Sequence, residues 1–112
     1  MNNNFNALAY IRYSLPQQHD MAMNVQGQAI KVYCQEHDIA LLETFTDEGG
    51  GFTFEGETWR DMEEFMYANK GALHFLIVHS PDRIGRDKKI TEALIALLEL
   101  KYNISVIFVS EH

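Results

Sequence analysis

Hydrophobic positions along the chain fall into short continuous runs and into stripes at helical spacing. Short apolar runs rich in β-branched and aromatic residues are typical of strands, and they predict strands at residues 7–13, 39–46, 73–79 and 104–109. The stripes predict helices at residues 21–37, 58–70 and 87–102. The third helix has the clearest stripe, formed by Ile90, Leu94, Leu97 and Leu98.

The segments between the runs carry local signals for where helices begin and end. Asp20 is a suitable N-cap for the first helix, in which apolar residues recur at helical spacing at Met21, Val25, Ala29 or Ile30, and Tyr33. Gly71 ends the second helix, whose Trp59, Met62 and Met66 are predicted to lie in the core.

Strands that alternate with helices of this length imply crossover connections. The sequence therefore predicts an α/β fold with three layers, in which helices flank a mostly parallel β-sheet. Residues 1–112 form one domain, since one core usually serves a chain of this size. In such folds function gathers at the carboxyl ends of the strands, here the loops 14–20, 47–58 and 80–86.

Composition narrows the class of protein. The chain is 46% hydrophobic and 22% charged, as in an ordinary globular protein, and no apolar run approaches the ~20 residues that cross a bilayer. The polar start lacks the features of a signal peptide, and a single cysteine, Cys34, fits a reducing compartment, so we expect a cytoplasmic protein with no membrane partner. Cys34 is predicted to be a packed thiol. The five scattered histidines make no metal-ligand pattern, and we expect neither metal nor cofactor.

The charge distribution limits what the chain can bind unaided. The formal net charge is −7, and eight of the sixteen acidic residues lie between residues 43 and 64. Because phosphate neutralisation supplies most of the affinity of nucleic-acid modules, this domain should not hold DNA tightly by itself.

Three of the four arginines stand close to predicted strand ends. Arg12 precedes Ser14 by two residues, and Arg83 and Arg86 follow the third strand, three residues apart. If the first and third strands are neighbours, three guanidiniums converge on one serine hydroxyl, and we expect all four residues to share one pocket. Guanidinium groups match phosphate oxygens, and a serine beside them is suited to attack phosphorus.

Two acidic residues and one loop complete this picture. Asp47 and Asp82 could orient the arginines or assist proton transfer. The loop from Gly49 to Gly56 has four glycines and is predicted to be mobile, but it lacks the spacing of a nucleotide-binding motif. Taken one at a time, such residues are ordinarily turn residues or exposed ion pairs, and only their joint placement makes a site an equally good interpretation.

The motifs resemble those of the serine site-specific recombinases of the resolvase/invertase family. The similar segments are Tyr10-Ile11-Arg12-Tyr13-Ser14 with Gln17-Gln18 and Gln26, then Thr46-Asp47-Glu48-Gly49, and Asp82-Arg83-Ile84-Gly85-Arg86-Asp87. Val32-Tyr33-Cys34 is similar to the large serine integrases of that group. The resemblance runs from about Leu8 to Glu111, and the order and spacing of the motifs are specific.

The resemblance implies a resolvase-like, flavodoxin-like sheet and DNA strand exchange without metal or ATP. Ser14 would attack a phosphodiester and form a 5′-phosphoserine link, while the three arginines bind the scissile phosphate. Asp47 and Asp82 would organise the site, and Tyr10, Gln18 and Gln26 would contact or position the substrate. The implied partners are DNA and further copies of the chain, a dimer that becomes a tetramer in synapsis.

The sequence departs from the family pattern in three places. Gly56 stands where the family usually has another arginine, and Arg60 is one residue past Trp59 and should point elsewhere. Ser80-Pro81 is also unusual before Asp82. The dimerising helix and DNA-binding region are expected beyond His112, outside this chain.

Two alternatives to a recombinase remain open. One is a regulatory or assembly relative that has lost cleavage through Gly56. The other is a flavodoxin-like domain whose arginines hold a phosphorylated ligand.

Overall fold

The computed structural model describes residues 4–112, and its centre is a four-stranded sheet. All neighbouring strands are parallel, in the order β2-β1-β3-β4. The predicted α/β class is confirmed, with every pairing parallel. The strands are β1 (Phe5–Tyr13), β2 (Ile39–Glu48), β3 (Phe75–Val78) and β4 (Ser105–Phe108).

Helices connect the strands on both faces of the sheet. The first connection contains α1 (His19–Ala22) and α2 (Gln28–Glu36), joined by a π-helical turn (Met23–Gly27). The second and third connections contain α3 (Glu57–Ala68) and α4 (Lys88–Leu97), and a further π-helical turn (Leu98–Tyr102) extends α4. Single 3₁₀ turns lie at Pro16–Gln18, Pro81–Arg83 and Val109–Glu111. No helix within residues 4–112 combines the length and apolarity needed to cross a bilayer.

Alternate residues of β1 supply the two cores. Leu8 and Tyr10 pack on the face covered by α3 and α4, where Trp59, Met62 and Met66 are buried as predicted. Ala7, Ala9 and Ile11 pack on the face covered by α1 and α2, together with Ile30 and Cys34. Cys34 is a buried free thiol, and burial raises its pKa. β1 is therefore buried on both faces, which explains its nearly continuous apolar run.

The first helix differs from the sequence prediction in its start and in its buried face. Asp20 lies inside α1 and is not its N-cap. Met21 and Val25 are 70% and 56% exposed, so these two members of the predicted stripe do not pack on the sheet. The face that packs consists of Ala22, Gln26, Ile30 and Cys34, spaced four residues apart. The hydrophobic pattern did not predict this stripe because one of its buried members is a glutamine.

The strand order creates a crevice between two neighbouring strand ends. The connection after β1 runs to β2 on one side, and the connection after β3 runs to β4 on the other. Open parallel sheets bind ligands at such switch points, because the loops leave in opposite directions. The loops at this point contain Ser14 and Arg83.

Candidate active site

Ser14 lies in the turn just after β1, at one end of a surface cavity of about 290 Å³. Its side chain is exposed. The cavity brings Ser14 together with Gln18, Gln26 and Arg83, and it also includes Met21 and Val25. The two exposed apolar side chains on α1 and the following turn thus form one wall of the crevice that holds the serine.

Two glutamines fix the backbone around Ser14. The Gln18 side-chain oxygen accepts hydrogen bonds from the backbone N–H of Ser14 (3.2 Å) and of Leu15 (3.0 Å). Gln26 is only 4% exposed, and its amide nitrogen donates to the Arg12 carbonyl at 2.9 Å. Among residues 4–112 the Gln26 Oε1 atom has no hydrogen-bond partner although it is buried. Gln18 thus holds the turn that carries the serine, and Gln26 holds the end of β1.

Arg12 is buried beneath the crevice and is bound to main-chain carbonyls. It is 7% exposed, and its guanidinium donates from Nε to the Arg83 carbonyl (2.8 Å), from one terminal nitrogen to the Gly49 carbonyl (2.7 Å) and from the other to the Asp82 carbonyl (2.8 Å). The expectation that Arg12 shares an open pocket with Ser14 is therefore wrong for this state of the protein. Strand alternation ends at Tyr13, so Arg12 and Ser14 do not share a side of an extended segment.

Backbone hydrogen bonds, in addition to Arg12, hold the glycine-rich loop (Gly49 to Gly56) against the loop after β3 and the end of β1. The Phe52 N–H donates to the Ile84 carbonyl at 2.8 Å, and the Gly49 N–H donates to the Tyr13 carbonyl at 2.9 Å. Phe52 is 7% exposed and packs edge-on against the Tyr10 and Trp59 rings. Gly49 has a φ of +137°, a conformation that favours glycine. Phe52, in the middle of this loop, is therefore anchored. The mobility of the loop from Gly49 to Gly56 stays a prediction.

Arg83 and Asp82 present their side chains at the edge of the crevice. The Ser80 hydroxyl donates to Asp82 Oδ1, and this bond, together with the nearby Arg83 guanidinium, holds the pKa of Asp82 below its usual value. Arg83 Nε lies 3.8 Å from Asp82 Oδ2. Asp82 thus lies beside one of the arginines, and its role in orienting them stays a prediction. Ser80, one of the departures from the family pattern, serves here as the hydroxyl donor to Asp82.

Arg86 does not join the Ser14 cavity. It is exposed and lines a separate cavity of about 440 Å³ together with Asp82 and Lys88. The expected single pocket for Arg12, Ser14, Arg83 and Arg86 is therefore not what this structure has. The 3₁₀ turn ends at Arg83 and α4 begins only at Lys88, so Arg83 and Arg86 are not on one helical turn, as the three-residue spacing assumed.

Asp47 is held by two hydroxyl groups at the end of β2. Tyr10 donates to its Oδ2 atom at 2.7 Å. The single proton of the Thr58 hydroxyl is shared between the Thr46 carbonyl at 3.0 Å and the Asp47 Oδ1 atom at 3.3 Å. Burial, and then the hydrogen bond to Asp47, raise the pKa of the Tyr10 hydroxyl. Thr58 is a site residue that sequence reasoning missed. A threonine in the first turn of the helix that follows an aspartate-ended strand was the available signal.

Gly56 immediately precedes α3 in an ordinary extended conformation, with φ −79° and ψ 158°. A Cβ atom there would lie 3.2 Å from the Thr53 methyl carbon and 3.4 Å from the Thr53 carbonyl. A side chain at this position therefore requires only a small shift of Thr53. Across the described residues, no group of three or more His, Cys, Asp or Glu side chains is placed to hold a metal ion.

An exposed serine beside glutamine and arginine side chains, at the switch point of a parallel sheet, defines a candidate phosphoryl-transfer site. Residues 7–112 match the family described as Resolvase, N terminal domain. The chain therefore belongs to the Resolvase N-terminal domain family, which confirms the serine-recombinase resemblance of its motifs. No curated protein sequence matches the chain.

Solved structures of serine recombinases share this fold. The N-terminal catalytic domain of TP901-1 integrase is 20% identical, with a TM-score of 0.77, 95% of this chain covered and 78% of that chain. A resolvase family site-specific recombinase from Streptococcus pneumoniae is 20% identical, with a TM-score of 0.78 and coverage of 96% and 74%. The C-terminal catalytic domain of ISC1926 TnpA, an IS607-like serine recombinase, is 15% identical, with a TM-score of 0.78 and coverage of 94% and 67%.

Proposed function

We propose that this chain is the catalytic domain of a site-specific DNA recombinase in which Ser14 is the nucleophile. The Ser14 Oγ atom attacks the phosphorus of a DNA phosphodiester, an Oγ–P bond forms and the P–O3′ bond breaks. The serine proton is transferred, in net terms, to the leaving oxygen, which becomes a 3′-hydroxyl. The 5′ phosphate stays on Ser14, and attack by another 3′-hydroxyl reverses the step without ATP. The observation that carries this proposal is the exposed Ser14 in one cavity with Arg83.

The arginines stabilise the charge that develops on phosphorus. Arg83 already lines the cavity that holds the serine, whereas Arg86 reaches the same phosphate only if the loop that carries it moves when DNA binds. Arg12 positions both loops through its carbonyl contacts, and a phosphate can bind its guanidinium only by replacing some of them. Asp82 orients Arg83, and Asp47 is the second organising carboxylate. Gln18 holds the turn that carries Ser14, Gln26 holds the end of β1, and Tyr10 holds Asp47 in place.

Gly56 lowers the rate in this proposal. The resemblance implies an arginine there, and removing one donor from an anionic transition state typically costs about 2.7–4 kcal/mol. The substrate is DNA, and we propose that two copies bind each site and four form the synapse. The flavodoxin-like phospho-ligand alternative predicts no covalent step.

The proposal is tested with the full-length protein and a DNA site that it recombines, trapped during the reaction. We expect a covalent Ser14–DNA 5′ adduct that Ser14→Ala abolishes while DNA affinity is nearly unchanged, because the serine contributes a bond and no charge. Arg83→Ala should also abolish the adduct, and Ser110→Ala, a change of another exposed serine, should not. Site binding and synapsis without any adduct on Ser14 would overturn the proposal in favour of a regulatory relative.

A further inference from the structure

Positive charge is concentrated in one short segment of this acidic chain. Four of the nine lysine and arginine residues lie between positions 83 and 89, in a protein whose net charge is −7. They are Arg83, Arg86, Lys88 and Lys89. The segment follows β3 and leads into α4, so it lies at the same edge of the sheet as Ser14. Two of these residues, Lys88 and Lys89, have no part in the proposed chemistry.

Lys88 and Lys89 are exposed at the start of α4. Lys88 lines the 440 Å³ cavity with Arg86 and the side chain of Thr91. Within residues 4–112, no carboxylate oxygen lies within 4.0 Å of the charged nitrogens of Lys88, Lys89 or Arg86. These three cations are therefore available to an anion from outside the chain.

The neighbouring carboxylates are largely occupied by other contacts. Asp87 is the N-cap of α4, and its Oδ1 atom accepts a hydrogen bond from the Lys89 N–H at 2.9 Å. Asp82 accepts the Ser80 hydroxyl and lies beside Arg83. Glu92 is the other carboxylate in the cavity lining. The positive end of the helix dipole lies at the N-terminus of α4, so it does not stabilise the two lysines there. The dipole and the lysines would both attract an anion from outside the chain.

The remaining bases do not form a comparable surface. Lys101 is paired with Glu63, and Arg12 is buried against carbonyls. Lys31, Arg60 and Lys70 are exposed on separate elements. Over residues 4–112, a polyanion therefore finds one cationic surface, which begins at the Ser14 cavity with Arg83 and continues along the start of α4.

We propose that Lys88 and Lys89, at the start of α4, bind DNA backbone phosphates that flank the phosphodiester at Ser14. The inference rests on the proposed function, since it assigns this surface to the same DNA. It adds a binding site beside the reacting phosphate. This site lets the domain contact DNA although its net charge of −7 opposes DNA binding. Phosphate contacts carry no base information, so this surface sets the position of the DNA and not the choice of sequence.

Binding is measured on the ¹⁵N-labelled chain carrying Ser14→Ala, titrated at several salt concentrations with a 20-base-pair duplex of random sequence (a length chosen as about two helical turns). We expect the duplex to shift the amide signals of residues 88–91. Lys88→Gln combined with Lys89→Gln should reduce the slope of log affinity against log salt by about 1–2. Lys31→Gln combined with Lys70→Gln changes the net charge equally and should reduce that slope by less than half as much. Equal effects of the two pairs would overturn the inference.

Inorganic phosphate distinguishes a free anion from the DNA backbone. We expect inorganic phosphate to shift the signals of the same amides, but only at a higher concentration than the DNA duplex requires. Saturation by inorganic phosphate at a lower concentration than by DNA would overturn the assignment to DNA.

The adduct assay separates this inference from the proposed function. In the full-length protein, the Lys88→Gln/Lys89→Gln pair should raise the DNA concentration needed for half-maximal adduct formation and leave the rate at saturating DNA unchanged. An adduct formed with unchanged DNA dependence contradicts only the lysine surface. Lysine-dependent DNA binding without any adduct contradicts only the role of Ser14.

Discussion

The Tyr10 hydroxyl donates a hydrogen bond of 2.7 Å to the Asp47 carboxylate, across the boundary between the central strand and the edge strand β2. Tyr10 is fully buried, and its ring packs against Phe52 in the glycine-rich loop. One side chain therefore links the core, the aspartate at the end of β2 and the loop beside the site. Asp47 is oriented by the fold before any DNA arrives.

Because of Tyr10, the free energy of unfolding depends on pH in the alkaline range. The pKa of Tyr10 is raised in the folded protein, first by burial, so above pH ~10 the unfolded chain loses this proton while the folded chain keeps it. The stability that neutral Tyr10 contributes is full below that pH and declines as the pH rises. Tyr10→Phe should cost about 1 kcal/mol at neutral pH and flatten the decline. Urea unfolding between pH 7 and 11 tests this, with the exposed Tyr67→Phe as control; identical profiles for the two variants would contradict it.

Thr58 holds Asp47 from the other side. Thr58→Val keeps the side-chain shape and removes the hydroxyl that binds Asp47 and the Thr46 carbonyl, so we expect a loss of about 1 kcal/mol of stability and slower adduct formation. Thr58→Ser restores the hydroxyl and should recover both. Unfolding and adduct assays on the two variants give the comparison. Equal behaviour of valine and serine would show that the hydroxyl has no positioning role.

Arg12 is expected to stabilise the DNA-free protein. Arg12→Lys keeps the charge but cannot reach three carbonyls, so we expect a loss of about 2 kcal/mol or more. Hydrogen exchange at the Gly49 and Phe52 amides should become faster without DNA. The control is Arg60→Lys, at an exposed position, which should change neither. Unchanged exchange in Arg12→Lys would mean that the loops hold together without the guanidinium.

Gln18 is expected to position Ser14 through the backbone. Gln18→Ala removes the acceptor of the Ser14 and Leu15 amides, so these two amides should exchange faster and the adduct rate at saturating DNA should fall about tenfold or more. Because Gln18 is exposed, global stability should change little. Gln17→Ala is the matched control at the neighbouring exposed position. If the two amides exchange faster but the adduct rate stays normal, the geometry of the turn does not control the reaction.

Gly56→Arg tests whether the site lacks a cation. The backbone is extended, and only Thr53 must shift, so we expect a cost of at most about 1 kcal/mol and an adduct rate raised about tenfold or more. Gly56→Gln introduces a polar side chain without the charge and should not raise the rate. If glutamine and arginine act alike, the guanidinium does not reach the phosphate.

Sequence patterns predicted the sheet better than they predicted the site. The continuous run 75–78 and the stripe around Leu94 allowed β3 and α4 to be placed, because a buried strand and a helix on its face have distinct periodicities. The first helix was harder, since its packed stripe contains Gln26 and its exposed face contains Met21. Burial of Gln26 depends on the Arg12 carbonyl, a tertiary contact that no local pattern contains.

The candidate site residues were predicted from motifs, but their arrangement in space was not. The spacing of Arg83 and Arg86 suggested one helical face, but the chain between Arg83 and the start of α4 at Lys88 is not helical, and the two side chains line different cavities. The partners of Arg12 are main-chain carbonyls, and a carbonyl has no sequence signature. The roles of these side chains remain proposals, whereas the family membership rests on the match over residues 7–112.

The parallel direction of every strand gives the two ends of the domain different surroundings. β1 begins at the edge of the sheet opposite Ser14, and nine residues of strand at about 3.3 Å per residue separate that start from the site by about 30 Å. β4 ends at the edge that carries Ser14. A fluorophore attached at the exposed Asn4, just before β1, therefore lies at the edge of the sheet opposite the site. The same fluorophore at the exposed Ser110, just after β4, lies at the edge that carries Ser14, so Asn4 is the suitable position for labelling experiments.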